Sequence, residues 1–151
     1  MNTETTRFER PVRIRFSHCD PAGIVFFPQY LVMTNVLIED WFNEALDIDY
    51  ASMISKRRVG LPIVKLECTF SKPSTMGEVI VLSLALTRIG ARSIVVDITA
   101  QANGELRFSA HQVLVTTSLE AGVSISVPDD IRAALLRFDP AAEASTQEKS
   151  S

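Results

Sequence analysis

The chain has 151 residues, 46% of them hydrophobic and 22% charged, with a formal net charge of -3 and two cysteines. That length suits one domain with its own core, and the apolar content excludes wholesale disorder. The acidic balance argues against a nucleic-acid-binding surface. No apolar run approaches the roughly 20 residues that span a bilayer, and two cysteines form neither a disulfide framework nor a zinc set. Residues 1–10 lack a signal-like apolar stretch, so the expected location is a reducing cytoplasm.

In chain order, residues 1–10 read as an extension, 11–138 as one folded domain and 139–151 as a disordered tail. Val12, Ile14 and Phe16 alternate with arginines and predict a first strand. Asp20, Pro21 and Gly23 then break the pattern. Pro28 suits the first turn of a helix that runs to about Leu46, with Leu31, Ile38, Phe42 and Ala45 on one face. A shorter helix is predicted from Tyr50 to Arg57. Val64, Leu66, Cys68 and Phe70 alternate with polar residues as a strand. Glu78–Thr87 is apolar at successive positions, as a strand buried on both faces is. Ser93–Ala100 and Leu106–Thr117 follow, joined across the Asn103-Gly104 turn. A terminal helix spans Pro128–Leu136. Strands joined by short turns predict a meander-like antiparallel sheet, hence an α+β fold.

Chemistry concentrates in His18-Cys19-Asp20-Pro21-Ala22-Gly23-Ile24-Val25-Phe26-Phe27-Pro28-Gln29-Tyr30. An acid stands in an irregular loop that feeds a helix start, where unpaired N–H groups polarise carbonyls. A carboxylate there attacks such a carbonyl or takes a proton from water. The same residue types also describe an ordinary Asp-Pro turn, and composition does not separate the two. His18 and Cys19 are adjacent, which is poor geometry for a nucleophilic pair. His111 stands alone in a strand and reads as structural. Glu39 and Glu44 fall on the polar side of the long helix, while Thr34 and Asn35 lie in its apolar sector.

This block resembles the signature of the hotdog-fold thioesterases related to 4-hydroxybenzoyl-CoA thioesterase, closely over Arg15–Tyr30 and more loosely through Val59-Gly60-Leu61-Pro62-Ile63-Val64. The resemblance implies a hotdog fold, an antiparallel sheet of about five strands around one long helix. It implies hydrolysis of an aryl or short-to-medium acyl-CoA, with Asp20 as nucleophile or general base and the Phe27 backbone N–H binding the thioester oxygen. By the same resemblance Gly23, Phe26 and Pro28 line the substrate site, and Val59, Gly60, Leu61 and Pro62 of a partner chain help to form the acyl pocket. The hydroxybenzoyl-specific members carry Trp-Tyr where this chain has Phe26-Phe27. A homodimer or homotetramer with sites between subunits follows from the resemblance too. No metal or separate cofactor is implied, coenzyme A being part of the substrate.

Coenzyme A phosphates need cations, and Arg88 and Arg92 are the candidates, with Lys72 a weaker one. Two other readings stand beside the first: a non-catalytic acyl-CoA-binding hotdog module, and a thioesterase for acyl-carrier-protein substrates. A hydratase needs an acid–histidine pair, and no histidine lies between Cys19 and Phe108.

Overall fold

The computed structural model describes residues 5–143. Its main sheet contains β1 (Arg7–Arg13), β3 (Ile63–Phe70), β4 (Val79–Ile89), β5 (Ser93–Ala102) and β6 (Glu105–Val115). They lie in the order β1-β4-β5-β6-β3, and every pairing is antiparallel. A small ribbon joins β2 (Val59–Gly60), β7 (Thr117–Ser118) and β8 (Val123–Ser124). The helices are α1 (Phe27–Asp40), α2 (Tyr50–Ser55) and α3 (Asp129–Phe138). The α+β reading is borne out.

The β4–β5–β6 meander matches the reading, with Asn103 and Gly104 both at positive φ in the last turn. The step from β3 to β4 does not. The two strands do not pair, because β3 lies beside β6 at one edge and β1 takes the other side of β4. Between Leu82 and Leu86 β4 is buried at every position, as its apolar run requires, but Val79 and Val81 are exposed. The first strand also begins earlier than its alternation suggests. Phe8 packs into the core opposite Leu84, Ile14 enters the core beyond the strand's end, and Phe16 is 82% exposed. Pro11 fits there because β1 is an edge strand. Strand β1 therefore includes residues read as an extension. At the other end Pro140–Ala142 form a short 3-10 turn with Ala142 buried, and the rest of the expected tail, 144–151, lies outside the described residues.

Helix α1 buries Tyr30, Met33, Thr34, Leu37 and Ile38 in the same core as Ile80, Leu82, Leu84, Ile98 and Phe108. Burial of each large side chain contributes about 1.5–3 kcal/mol, which holds the helix on the sheet. A π-helical turn, Trp41–Ala45, continues it, and its wider backbone leaves Trp41 and Phe42 both fully buried. Thr34 is buried and accepts from the Gln112 side chain (3.3 Å), whereas Asn35 is exposed rather than within the apolar face. Glu39 and Glu44 are exposed as expected, Glu44 pairing with Arg10.

Candidate active site

The segment from His18 to Phe26 is a tight hairpin. Cys19 bridges Val25, the Asp20 N–H donates to the Ile24 carbonyl (3.0 Å), and the Phe26 N–H donates to the His18 carbonyl (2.9 Å). Its tip closes through Gly23 N–H to Asp20 O (2.9 Å), with Gly23 at φ +79, where a side chain is strained. The Asp20 carboxylate is half-buried, and its Oδ1 accepts from the Ala22 N–H (2.9 Å). Upstream, His18 Nδ1 accepts from the Arg15 N–H (2.9 Å) while the His18 N–H donates to Arg15 O (2.9 Å). Burial and the Arg15 cation lower the His18 pKa, so the imidazole stays a neutral acceptor at pH 7. The Cys19 thiol donates to Arg15 O (3.3 Å), and both cysteines are free.

The hairpin delivers the chain directly into α1. Phe26 caps the helix in an extended conformation, Phe27 is its first residue and Pro28 its second. Pro28 has no N–H, and the Gln29 N–H donates to Phe26 O (2.8 Å). Among the described residues the Phe27 N–H donates to none, and it stands at the positive end of the helix. Asp20, Gly23, Phe26, Phe27 and Pro28 thus fall in one compact unit. Phe26 and Phe27 are exposed and meet edge to face (5.6 Å between centroids).

Val59–Pro62 lie elsewhere on this chain. Val59 and Gly60 are buried in the small ribbon. Leu61 and Pro62 line a groove of ≈ 440 Å³ with Val32, Asn35, Glu39 and Tyr50. Arg92 donates to the Ser124 hydroxyl (3.0 Å). Arg88 borders a separate cavity on the sheet with Lys65, Thr87 and His111. Neither arginine lines the cavity described next, which touches the Asp20 hairpin. His111 pairs with Asp97 across the strands (2.6 Å), consistent with a structural role. Among the described residues no cluster of three or more His, Cys, Asp or Glu side chains is placed to hold a metal ion.

A second cavity, ≈ 240 Å³, does touch the hairpin. Ile24, Val25, Phe27, Tyr30 and Phe70 line it, and Lys72, Ser74 and Arg107 supply its polar groups. Lys72 is tied to Glu105 (2.6 Å). Arg107 is 3% exposed and forks onto Glu78, Nη1 to Oε1 (2.8 Å) and Nη2 to Oε2 (3.0 Å). Alternation from Leu106 points Arg107 outward, so sequence reading misses it. In the structure a register shift opposite Ala100 and Gln101 exposes Leu106 and buries Arg107.

Arg107 holds the Glu78 carboxyl at about 2, well below its ordinary 4.5. The folded pKa lies below the unfolded one, so this stabilisation is complete above pH 4.5 and is lost as the pH falls toward 2. Glu78→Gln is expected to lower the melting temperature at pH 7 by more than it does at pH 2.5. Asp49, Glu105 and Asp130, also held low, supply an acid slope common to both proteins. Parallel melting curves down to pH 2.5 would count against the Glu78 share.

A family model described as the Thioesterase-like superfamily matches residues 14–135, from the core residue before the hairpin to the end of α3's buried face. The chain belongs to the Thioesterase-like superfamily. A curated 1,4-dihydroxy-2-naphthoyl-CoA hydrolase from Synechococcus elongatus is 35% identical over 85 residues, 56% of this chain and 62% of that protein. The chain spans less than two thirds of the length of the curated relatives it matches first. Among solved structures, a 1,4-dihydroxy-2-naphthoyl-CoA thioesterase from Synechocystis superposes with a TM-score of 0.77 at 25% identity, covering 90% of this chain and 98% of that one. A gentisyl-coenzyme A thioesterase gives a TM-score of 0.77 at 23% identity, covering 84% and 98%. The fold is therefore the hotdog fold of thioesterases in this superfamily, with α1 as the long helix packed on the sheet.

Proposed function

We propose that this member of the superfamily is an acyl-CoA thioesterase that cleaves an aryl or short-to-medium acyl-CoA to the free acid and coenzyme A. The observation that carries the reading is the pairing of a half-buried carboxylate, Asp20, with the undonated Phe27 N–H at the start of α1. The thioester oxygen binds that N–H, which stabilises the negative charge that develops there. As nucleophile, the Asp20 carboxylate attacks the carbonyl carbon, the C–S bond breaks and coenzyme A leaves as a thiolate that takes up a proton. Water then hydrolyses the mixed anhydride. As base, Asp20 takes a proton from the water that attacks directly. No further cofactor enters either route.

Gly23, Phe26 and Pro28 shape the approach to Phe27. The substrates named for the relatives support aryl-CoA esters as the first to test. Arg88 and Arg92 remain the proposed phosphate contacts, Arg92 after release from Ser124. We also propose that a second copy completes the site and brings its Val59–Pro62 segment to it. Supporting this, β3 is an unpaired sheet edge carrying exposed Ile63, Val64, Leu66 and Phe70, and α1 exposes Val32 and Val36. Such an apolar edge invites pairing with another chain.

A free-thiol assay over benzoyl-, hydroxybenzoyl-, naphthoyl- and straight-chain acyl-CoA esters tests the activity, and light scattering the assembly. Thiol release and a mass of at least two chains are expected, with Leu66→Lys returning the mass toward one. Tight acyl-CoA binding without thiol release would select the non-catalytic module. Release from acyl-carrier-protein esters alone would select the other carrier.

A further inference from the structure

The connection between β3 and β4, residues 71–78, runs behind the Asp20 hairpin as a strap. It is bonded to the chain just before that hairpin and to the hairpin's second arm. Upstream, the Ile14 N–H donates to Glu78 O (2.7 Å) and the Gly77 N–H to Ile14 O (2.8 Å). In the second arm of the hairpin, the Val25 N–H donates to Ser74 O (2.9 Å), the Met76 N–H donates to Gly23 O (3.0 Å), and Ile24 bridges Thr75. The first turn of α1 is tied in as well, since the Tyr30 hydroxyl donates to the fully buried Ser74 Oγ (2.9 Å). A shift of the strap therefore moves the Asp20 hairpin and the start of α1 together.

Arg107 of β6 is what fixes the strap. Its Nη1 donates to Pro73 O (3.2 Å), Ser74 Oγ (3.3 Å) and Glu78 Oε1 (2.8 Å), and its Nη2 to Glu78 Oε2 (3.0 Å) and Glu105 Oε1 (3.3 Å). The Ser71 N–H donates to the Arg107 carbonyl (2.9 Å). Glu78 Oε1 also accepts from the Thr75 N–H (2.7 Å), so the ion pair closes the strap on itself. One rigid, five-donor guanidinium thus links sheet, strap and helix start, a job a flexible ammonium does poorly. An ion pair with one buried partner is weak support for stability, because apolar side chains of similar volume often do as well. Its value in this position lies in geometry.

We infer that Arg107 is a positioning residue for thioester cleavage, holding the 71–78 strap that sets the Asp20 hairpin against the start of α1. The inference rests on the thioesterase reading above for its chemistry and on the bonds just described for its mechanics.

The test compares wild type with the double variant Arg107→Met/Glu78→Gln and with Tyr30→Phe. Neutralising both partners leaves neither end of the ion pair unmatched, whereas Arg107→Met alone leaves the half-buried Glu78 carboxylate without its cation, and the glutamine amide keeps an acceptor oxygen for the Thr75 N–H. An ångström-scale misplacement costs up to about 10²-fold, so kcat on the best substrate of the panel is expected to fall about 30-fold in the double variant, with KM within about twofold. Tyr30→Phe, which cuts only the tie from helix to strap, is expected to lower kcat about threefold. Amide exchange read by mass spectrometry is expected to speed up about tenfold or more across residues 17–27 and to stay unchanged in β4 and β5.

Unchanged kcat in the folded double variant overturns the inference. So does a loss of kcat that comes with general loss of protection in β4 and β5, which marks a merely structural role. If the double variant does not fold, Tyr30→Phe decides, and unchanged kcat and exchange there are fatal. If the wild-type protein cleaves no acyl-CoA, the thioesterase reading fails, and unaltered exchange at 17–27 then disposes of the strap separately.

Discussion

Asp20→Asn is expected to lower kcat for acyl-CoA hydrolysis by about 10³-fold, the scale on which loss of a positioned acid–base or nucleophilic group is felt. Asparagine keeps the Oδ1 that accepts from the Ala22 N–H, so the hairpin retains its tip bond. The backbone bonds from Asp20 to Ile24 and Gly23 do not involve the side chain at all. The change in stability is therefore expected to stay within about 1 kcal/mol, typical of substitutions that leave packing and caps intact. KM is expected to change little, because the carboxylate acts on the reacting carbon rather than on the carrier. Activity within tenfold of wild type, with the fold intact, would remove Asp20 from the chemistry. Single turnover in ¹⁸O water then bears on its two roles: label entering Asp20 requires a mixed anhydride that water opens at the aspartyl carbon, whereas general-base catalysis puts the label in the product acid alone.

How much of this was legible in the sequence depends on where the deciding interaction lies. The hairpin and helix start were legible because they are local. Asp20, Gly23 and Pro28 each carry a backbone preference that acts within a few residues, and the structure brings all three into one unit. The β5–β6 turn was legible at Asn103-Gly104 for the same reason. Sheet order was not, since alternation says which residues of β3 share a face but not which strand lies beside them. The eight-residue link 71–78 looks like a turn between neighbours, yet it carries the chain away from β6, past the back of the hairpin, to the other side of the meander. Arg107 was illegible for a related reason. Its burial depends on a register shift between β5 and β6 and on Glu78, 29 positions away, neither of which leaves a periodic trace. Arg88 and Arg92 are legible only as two cations near a turn; their folded surroundings, the Ser124 hydroxyl for Arg92 and the sheet cavity with Lys65 and His111 for Arg88, come from distant parts of the chain.

Phe27→Pro is expected to reduce kcat about 10²-fold or more, the cost of deleting one oxyanion donor, while Phe27→Leu stays within a few-fold of wild type. The pair separates backbone from side chain. Proline at the first helical position keeps the helix, because the N–H it lacks has no partner inside the helix. The preceding residue already suits it: Phe26 sits at φ -70 and ψ 123, the extended region that a following proline demands. Leucine retains the N–H and gives up only ring contacts, those with Phe26 at 5.6 Å and with Phe70 at 6.0 Å. Each such contact is worth about 0.5–1.5 kcal/mol beyond area burial, so some loss of substrate affinity is compatible with Phe27→Leu, but a collapse of kcat is not. Should the two variants lose kcat equally, the side chain and not the amide is what the reaction uses. Should Phe27→Pro keep full kcat with α1 intact, the thioester oxygen is bound elsewhere. Because Asp20 and the amide act on opposite parts of the same carbonyl, Asp20→Asn/Phe27→Pro is expected to be little worse than Asp20→Asn alone if both serve one transition state.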